Sequence, residues 1–327
     1  MAKADVKILV DYLSFTISEG QFTRFKDCNS DSQFVQMCEL LALECDLFEE
    51  RGGYHGYRKS FWYNGITLAF EGNATVHVNL SGSGCRVFES LHPGHNWEHW
   101  IRQMMLLFSS WHCSRIDIAA DTFGVLDVHT IQNWTDRGWY KSQWRTHLIQ
   151  RGNAENSIIW GSPQSDFRLR IYDKTLERRR QVDDPDEVPD QWVRCEFQMR
   201  NNAAASFIRE WLGSGDISAA YFGIMRNQLI YSKDYDGKNA DRMTVAGWWK
   251  KFLGNYQQLK MAYPGGVDYN FQSLTRYLYK QCSSSIRTYM LYNDGDISGL
   301  LEKAENARIN DKQRQLLLMK QIMEDLS

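Results

Sequence analysis

Paired cysteines, prolines, long apolar runs and an excess of one charge are all scarce in this sequence. Its seven cysteines, at 28, 38, 45, 85, 113, 195 and 282, never form a CxxC pair. An odd count without that spacing, in a chain of 327 residues, argues against a disulfide framework or zinc ribbon and leaves reduced, buried thiols. Only five prolines occur, and aromatic residues make up 13% of the chain, so extended disorder is excluded. No apolar run approaches the roughly 18 residues of a membrane helix. The opening MAKADVKILVDYLSF lacks the regions of a secretory signal. With 38 Lys and Arg against 40 Asp and Glu, the net charge of −2 rules out a uniformly basic coat. The expectation is a cytoplasmic globular protein with no membrane partner, built as one large domain or two ordinary ones.

What is present reads as strands first and helices later. Residues 6–17 (VKILVDYLSFTI) are β-branched and aromatic, a buried strand. Residues 31–48 carry apolar side chains at helical spacing after a capping-type start. From 53 to 89 the pattern is strand-like, with Asn64-Gly65 as a hairpin turn and Ser81–Gly84 as a tight turn. Helices are expected over 96–111 and 127–136, and strands over 114–121, 156–161, 166–174 and 192–200. After about 202 the character turns helical, ending in an amphipathic run over 300–325. The fold class expected is α+β, a central antiparallel sheet with flanking helices. Residues 1–212 would form a catalytic region and 213–327 a helical C-terminal region.

Three of these strands pair an apolar face with an ionisable one. Side chains at i, i+2 and i+4 share a face of a strand. That gathers Arg168, Arg170, Tyr172 and Lys174 in one strand, Arg194, Glu196, Gln198 and Arg200 in another, and Arg115, Asp117, Ala119 and Asp121 in a third. Clustered carboxylates suit Mg²⁺ or Mn²⁺, hard cations that prefer oxygen ligands. A tyrosine beside Arg170 and Lys174 would have its phenolate stabilised and its pKa lowered, and such a group can attack phosphorus. Residues 137–180 hold ten Lys and Arg against four Asp and Glu, interleaved with Trp139, Tyr140, Trp144 and Trp160 as stacking platforms for unpaired bases. His92, His95 and His99 lack the partners of a zinc site, and Ser81–Gly84 lacks the lysine of a P-loop.

The strings LSGSGCR (80–86), SRIDIAAD (114–121), IIWGSPQSDFRLRIYDKTLE (158–177) and WVRCEFQMR (192–200) resemble the replication initiation factor family. The family comprises rolling-circle initiators of small plasmids and phages and similar relaxases of conjugative elements. The resemblance runs in order over roughly residues 5–260. It implies a metal-dependent nickase-ligase in which Tyr172, within RIYDK, becomes linked to a 5′ phosphate and leaves a 3′ hydroxyl. Lys174 would assist it, and Asp117, Asp121 and Glu196 would hold the metal, with Asp11 and Glu71 as further candidates. Arg168, Arg170, Arg194, Arg200, Arg178 and Arg179 would contact DNA. None of the eight histidines forms the His-hydrophobic-His pair of other rolling-circle nickases, which agrees with carboxylate ligation. Implied partners are origin DNA (single-stranded, or an extruded or supercoiled duplex), a host helicase and polymerase, and a second copy of the chain. A relaxase with the same chemistry and a non-enzymatic origin-binding regulator are the alternatives.

Overall fold

The computed structural model describes residues 6–22, 30–153, 155–182, 184–234, 243–259, 261, 274–275, 278–309, 313 and 317. Its centre is one ten-stranded antiparallel sheet. In chain order the strands are β1 (Val6–Ser18), β2 (Glu49–Arg51), β3 (Lys59–Tyr63), β4 (Ile66–Phe70), β5 (Thr75–Leu80), β6 (His112–Phe123), β7 (Tyr140–Ser142), β8 (His147–Gln150), β9 (Ser157–Trp160), β10 (Phe167–Asp173), β11 (Trp192–Arg200) and β12 (Leu229–Tyr231). The sheet runs β2-β3-β4-β5-β1-β6-β11-β10-β9-β8, and β7 pairs separately with β12.

That order contains the same path twice. A long strand (β1, then β6) is followed by a helix and by a run of strands whose last member returns to pair with the first (β5 on β1, β11 on β6). The two long strands then pair with each other at the centre. Both halves thus place their long first strands side by side.

The helices of the first compact unit, residues 1–265, are α1 (Ser30–Leu41), α2 (Gly82–Leu91), α3 (Trp97–Leu107), α4 (Val128–Asp136), α5 (Lys174–Arg179), α6 (Asn201–Ser214), α7 (Ile217–Gln228) and α8 (Gly247–Leu253). The second unit, residues 266–327, contains a π-helical turn (Leu278–Cys282), α9 (Ser283–Tyr292) and α10 (Ser298–Glu305). No described helix is long and apolar enough to cross a membrane.

Alternation decides the core. Phe167, Leu169 and Ile171 of β10, Val193, Cys195, Phe197 and Met199 of β11, and Ile116, Ile118 and Ala120 of β6 are all buried. Helix α6 packs on β6 and β11. The Tyr221 hydroxyl of α7 donates to the Cys195 carbonyl at 2.7 Å, and the Trp249 indole of α8 donates to the Leu229 carbonyl at 3.1 Å. These helices belong to the same unit as the sheet, so the boundary expected at 212 falls inside the last turns of α6.

Several expectations need correction in extent. The helix expected over 31–48 stops at Leu41, because Ala42 turns left-handed (φ 48) and a short 3-10 turn, Cys45–Leu47, leads into β2. The turn expected at Ser81–Gly84 is the start of α2, with the Ser81 hydroxyl accepting from the Gly84 amide at 3.3 Å. Helix α8 covers only part of the helical stretch expected after 240, and much of 300–325 lies outside the described residues. The Asn64-Gly65 hairpin forms as read, with both residues at positive φ (41 and 89).

Candidate active site

Strand register assembles the polar face. Arg170 stands opposite Glu196 on β11, and Glu196 opposite Ala119 on β6. Tyr172 pairs in register with Arg194, and Arg194 with Asp121. Arg168 pairs with Gln198, and Gln198 with Asp117. The ionisable side chains of three strands therefore form one continuous belt. Asp173 ends β10 and caps α5 by accepting from the Leu176 amide at 2.8 Å, which sets Tyr172 at the last turnable position before a helix.

A fourth strand joins the belt through an irregularity. The β1–β6 register passes from Val10 opposite Ile118 to Tyr12 opposite Asp117, leaving Asp11 as the extra residue of a bulge. Asp11 is aimed at Arg194, with Oδ1 2.7 Å from Nη1. Glu71 is not brought here. It lies beyond the end of β4, its nearest cation is Arg58 at 3.8 Å, and β4 is separated from β6 by β5 and β1.

Guanidinium groups hold most of the carboxylates. Arg194 donates to both oxygens of Asp121, at 2.7 and 2.8 Å, and is itself only 6% exposed. It is consumed by Asp121 and Asp11 and does not present itself to solvent, where a DNA contact was expected. Arg115 holds Asp117 in a fork, Nε–Oδ1 2.9 Å and Nη2–Oδ2 2.5 Å. Gln198 donates to Glu196 at 2.8 Å, and Arg170 reaches Glu155 at 2.9 Å. Burial, reinforced by the charges of Glu196 and Asp11, pushes Asp117 up to about 7 despite the Arg115 pair. Burial likewise raises Glu196, with Asp11 adding to it.

Tyr172 is buried, 4% exposed, under the Arg170 guanidinium at 4.2 Å from its ring. A cavity of about 80 Å³ opens beside it, lined in part by Glu155, Asn156, Leu176 and Glu177. Lys174 donates to the phenol oxygen at 3.3 Å while ion-paired to Glu177. The lowered phenol pKa expected from Arg170 and Lys174 is not what this environment produces. Burial raises it well above the ordinary value and the Glu196 charge raises it further, with Arg194 offsetting only part. Lys174 and Arg170 both spend charge on glutamates that the sequence pattern did not pair with them.

The donor chemistry fits a hard divalent cation. Asp117, Glu196 and Asp11 are carboxylates whose mutual repulsion a positive ion would relieve. Among the described residues, however, no three Asp, Glu, His or Cys converge closely enough to enclose an ion as they stand. Asp121 gives both oxygens to Arg194, as Asp117 does to Arg115. His92 and His95 pack as rings against Phe88, and the His92 nitrogens face the carbonyls of Phe88 and Ala42.

Of the proposed stacking platforms, Trp160 is fully buried and Trp139 packs edge-on against Trp134. Trp144 is half-buried, its indole donating to the Phe167 carbonyl at 3.0 Å. On α5, Arg178 contacts Gln181 and Arg179 pairs with Asp190 at 2.7 Å. Arg168 and Arg200 remain on the polar face without a carboxylate partner among the described residues. Sequence reasoning missed Glu155 and Tyr12. Each became visible only through register or loop placement.

The family model described as replication initiation factor matches residues 112–304, a segment that contains β6, β10 and β11. The chain belongs to the replication initiation factor family. It is 22% identical over 297 residues, 85% of this chain and 83% of the relative, to the putative DNA relaxase NicK of Bacillus subtilis (strain 168). Among solved structures it resembles a rolling circle replication initiator protein from Geobacillus stearothermophilus, with a TM-score of 0.65 and 24% identity, over 79% of this chain and 99% of that one. At that identity the likeness is one of fold. The family model begins at β6, so β1 with its Asp11 lies outside the matched segment.

Proposed function

We propose that this member of the replication initiation factor family nicks and rejoins origin DNA through a covalent link to Tyr172. The observation that carries the reading is the register that sets Tyr172 within a buried belt of arginines and carboxylates on β6, β10 and β11. The phenol oxygen attacks the scissile phosphorus, the P–O3′ bond breaks, and the departing 3′ oxygen takes up a proton. The phenol proton, relayed through solvent, is the one the departing 3′ oxygen takes up, so the step balances. Rejoining is the reverse attack by the 3′ hydroxyl, so phosphodiester bond energy is conserved and no ATP is needed.

Around that step the remaining groups bind and orient. Arg170 and Lys174 stabilise charge on the phosphoryl oxygens once DNA displaces their glutamate partners. Arg194 positions the site by tying Asp121 and Asp11 to the strand that faces Tyr172. Mg²⁺ or Mn²⁺ would be held by Asp117, Glu196 and Asp11, and its chemistry when bound is to polarise the phosphoryl oxygen. Arg168 and Arg200 on the sheet, with Arg178 and Arg179 on α5, would contact the DNA backbone. A polymerase using the 3′ hydroxyl, a host helicase and a second copy of the chain are the partners this reading carries.

A second reading, a relaxase acting at a transfer origin, is favoured by the extent of the match to NicK and uses the same residues. The test incubates the protein with labelled single-stranded DNA from its own element's origin, with Mn²⁺ or EDTA, beside Tyr172→Phe on a denaturing gel. A metal-dependent protein–DNA adduct that the variant loses is the expected result. Cleavage retained by Tyr172→Phe would point to a hydrolytic nuclease. Binding with neither cleavage nor adduct would point to a regulator.

A further inference from the structure

Arginines on the polar face divide into two kinds. Arg115, Arg170 and Arg194 each hold a carboxylate, whereas the Arg168 side chain has no hydrogen-bond or ion-pair partner among the described residues, and its Nε is buried without one. Arg200 makes one long side-chain hydrogen bond among the described residues, 3.5 Å to the Pro163 carbonyl. These two are not isolated from other cations. Burial disfavours the charge of Arg168 most, and the charges of Arg200, Arg115 and Arg170 act against it further. A buried guanidinium nitrogen left without an acceptor is costly, and such exceptions need an explanation. Uncompensated positive charge at one end of the belt suits an anionic ligand.

Register says which residues would hold such a ligand. Arg168 stands beside Gln198 on β11, and Arg200, two residues further on, stands opposite Arg115 of β6. Tyr172, Arg170 and Arg168 share one face of β10 at two-residue steps. Each step advances roughly 6.6 Å, so Arg168 is about 13 Å along the strand from Tyr172. The stem of Arg168 is seated against Gly161 (φ 94), where a Cβ would come within 3.2 Å of the Arg168 Cγ and of the Trp144 ring. The hairpin before β10 thus leaves the room this side chain uses.

We propose that Arg168 and Arg200 form a phosphate subsite for single-stranded DNA, holding the backbone two linkages from the phosphate that faces Tyr172. The proposal rests on the Tyr172 reading for its position but not for its chemistry. The backbone then runs along β10, one phosphate for each pair of residues, and this track sets which phosphate reaches the tyrosine.

The experiment follows binding of a fluorescein-labelled single-stranded dT oligonucleotide by anisotropy across a salt series. Wild type is compared with Arg168→Gln, Arg168→Lys, Arg200→Gln and, as a charge control, Arg51→Gln at the far edge of the sheet. Losing one phosphate contact on a single strand lowers the slope of log K against log salt by about 0.7. That drop is expected for Arg168→Gln, with Arg168→Lys retaining the slope and Arg51→Gln leaving it unchanged. Circular dichroism melting confirms that each variant is folded. On a strand the protein nicks, a methylphosphonate two linkages from the nick should weaken wild type as much as Arg168→Gln does and leave Arg168→Gln unaffected. An unchanged slope in Arg168→Gln, a wild type that does not bind the single strand, or a neutral methylphosphonate at that linkage on both sides of the nick would overturn the proposal. A lowered slope without any Tyr172 adduct would leave the phosphate subsite standing and remove the nickase reading instead.

Discussion

Replacing Arg194 with methionine tests whether the belt is held from within. Its guanidinium satisfies three carboxylate oxygens, both of Asp121 and one of Asp11, and the Asp121 side chain is 5% exposed. Burial alone disfavours the Arg194 charge, and Asp121 and Asp11 more than restore it. Methionine fills similar volume but leaves both carboxylates without their cation. Breaking a buried pair in this way costs about 3–5 kcal/mol, chiefly because the abandoned charge stays desolvated. For a compact unit of this size each kcal/mol lowers Tm by about 2–4 °C, so a fall on the order of 10 °C is expected. Thermal melting at neutral pH, with a urea titration of the same proteins, measures it. Adding Asp121→Asn to the Arg194→Met variant removes the stranded charge and should recover more than half of the loss. A single-variant loss below about 1 kcal/mol, or no recovery in the double variant, would show that the pair is a surface-like contact with little energetic role.

Two further outcomes concern stability away from the belt. Gly84→Ala would place a Cβ 2.3 Å from the Gly65 carbonyl oxygen, a backbone atom with no freedom to swing aside, so a loss of about 1–3 kcal/mol in urea unfolding is expected and a neutral effect would contradict the tight α2–hairpin approach. His77 on β5 is largely buried, and burial, with His55 adding to it, lowers its pKa from 6.5 to about 4. The unfolded chain therefore binds the extra proton first, so stability present at pH 7 declines as pH falls from about 6.5 towards 4, by up to about 3 kcal/mol. In His77→Gln that part of the acid slope should disappear, which a pH series of melting curves reads directly.

The belt was half legible before any coordinates. The strands around Ile116, Ile171 and Phe197 show themselves by strict alternation, and alternation alone puts Tyr172, Glu196 and Asp117 on ionisable faces. Helix α2 was not legible, because Gly82, Ser83 and Gly84 have turn chemistry, and only the tertiary approaches of Gly65 to Gly84 and of Asp11 to Gly82 explain two glycines in a first helical turn. Asp11 could not be distinguished from Glu71, since a bulge in β1 is invisible until its partner 100 residues away is known. The direction of the Tyr172 shift was misjudged for a related reason. Neighbouring charges can be read from spacing, but burial and the diversion of Lys174 to Glu177 and of Arg170 to Glu155 cannot.

The amino-acid order by itself determined the period of each strand and the separation of apolar from ionisable faces, because these depend on local geometry that repeats every two residues, and its strings carried the family resemblance. Tertiary structure alone decided which strands lie side by side, which arginines are already paired and which stay free, and how deeply the tyrosine is buried. Those outcomes depend on register between segments far apart in the chain, and a shift of one residue would send every side chain of the belt into the core.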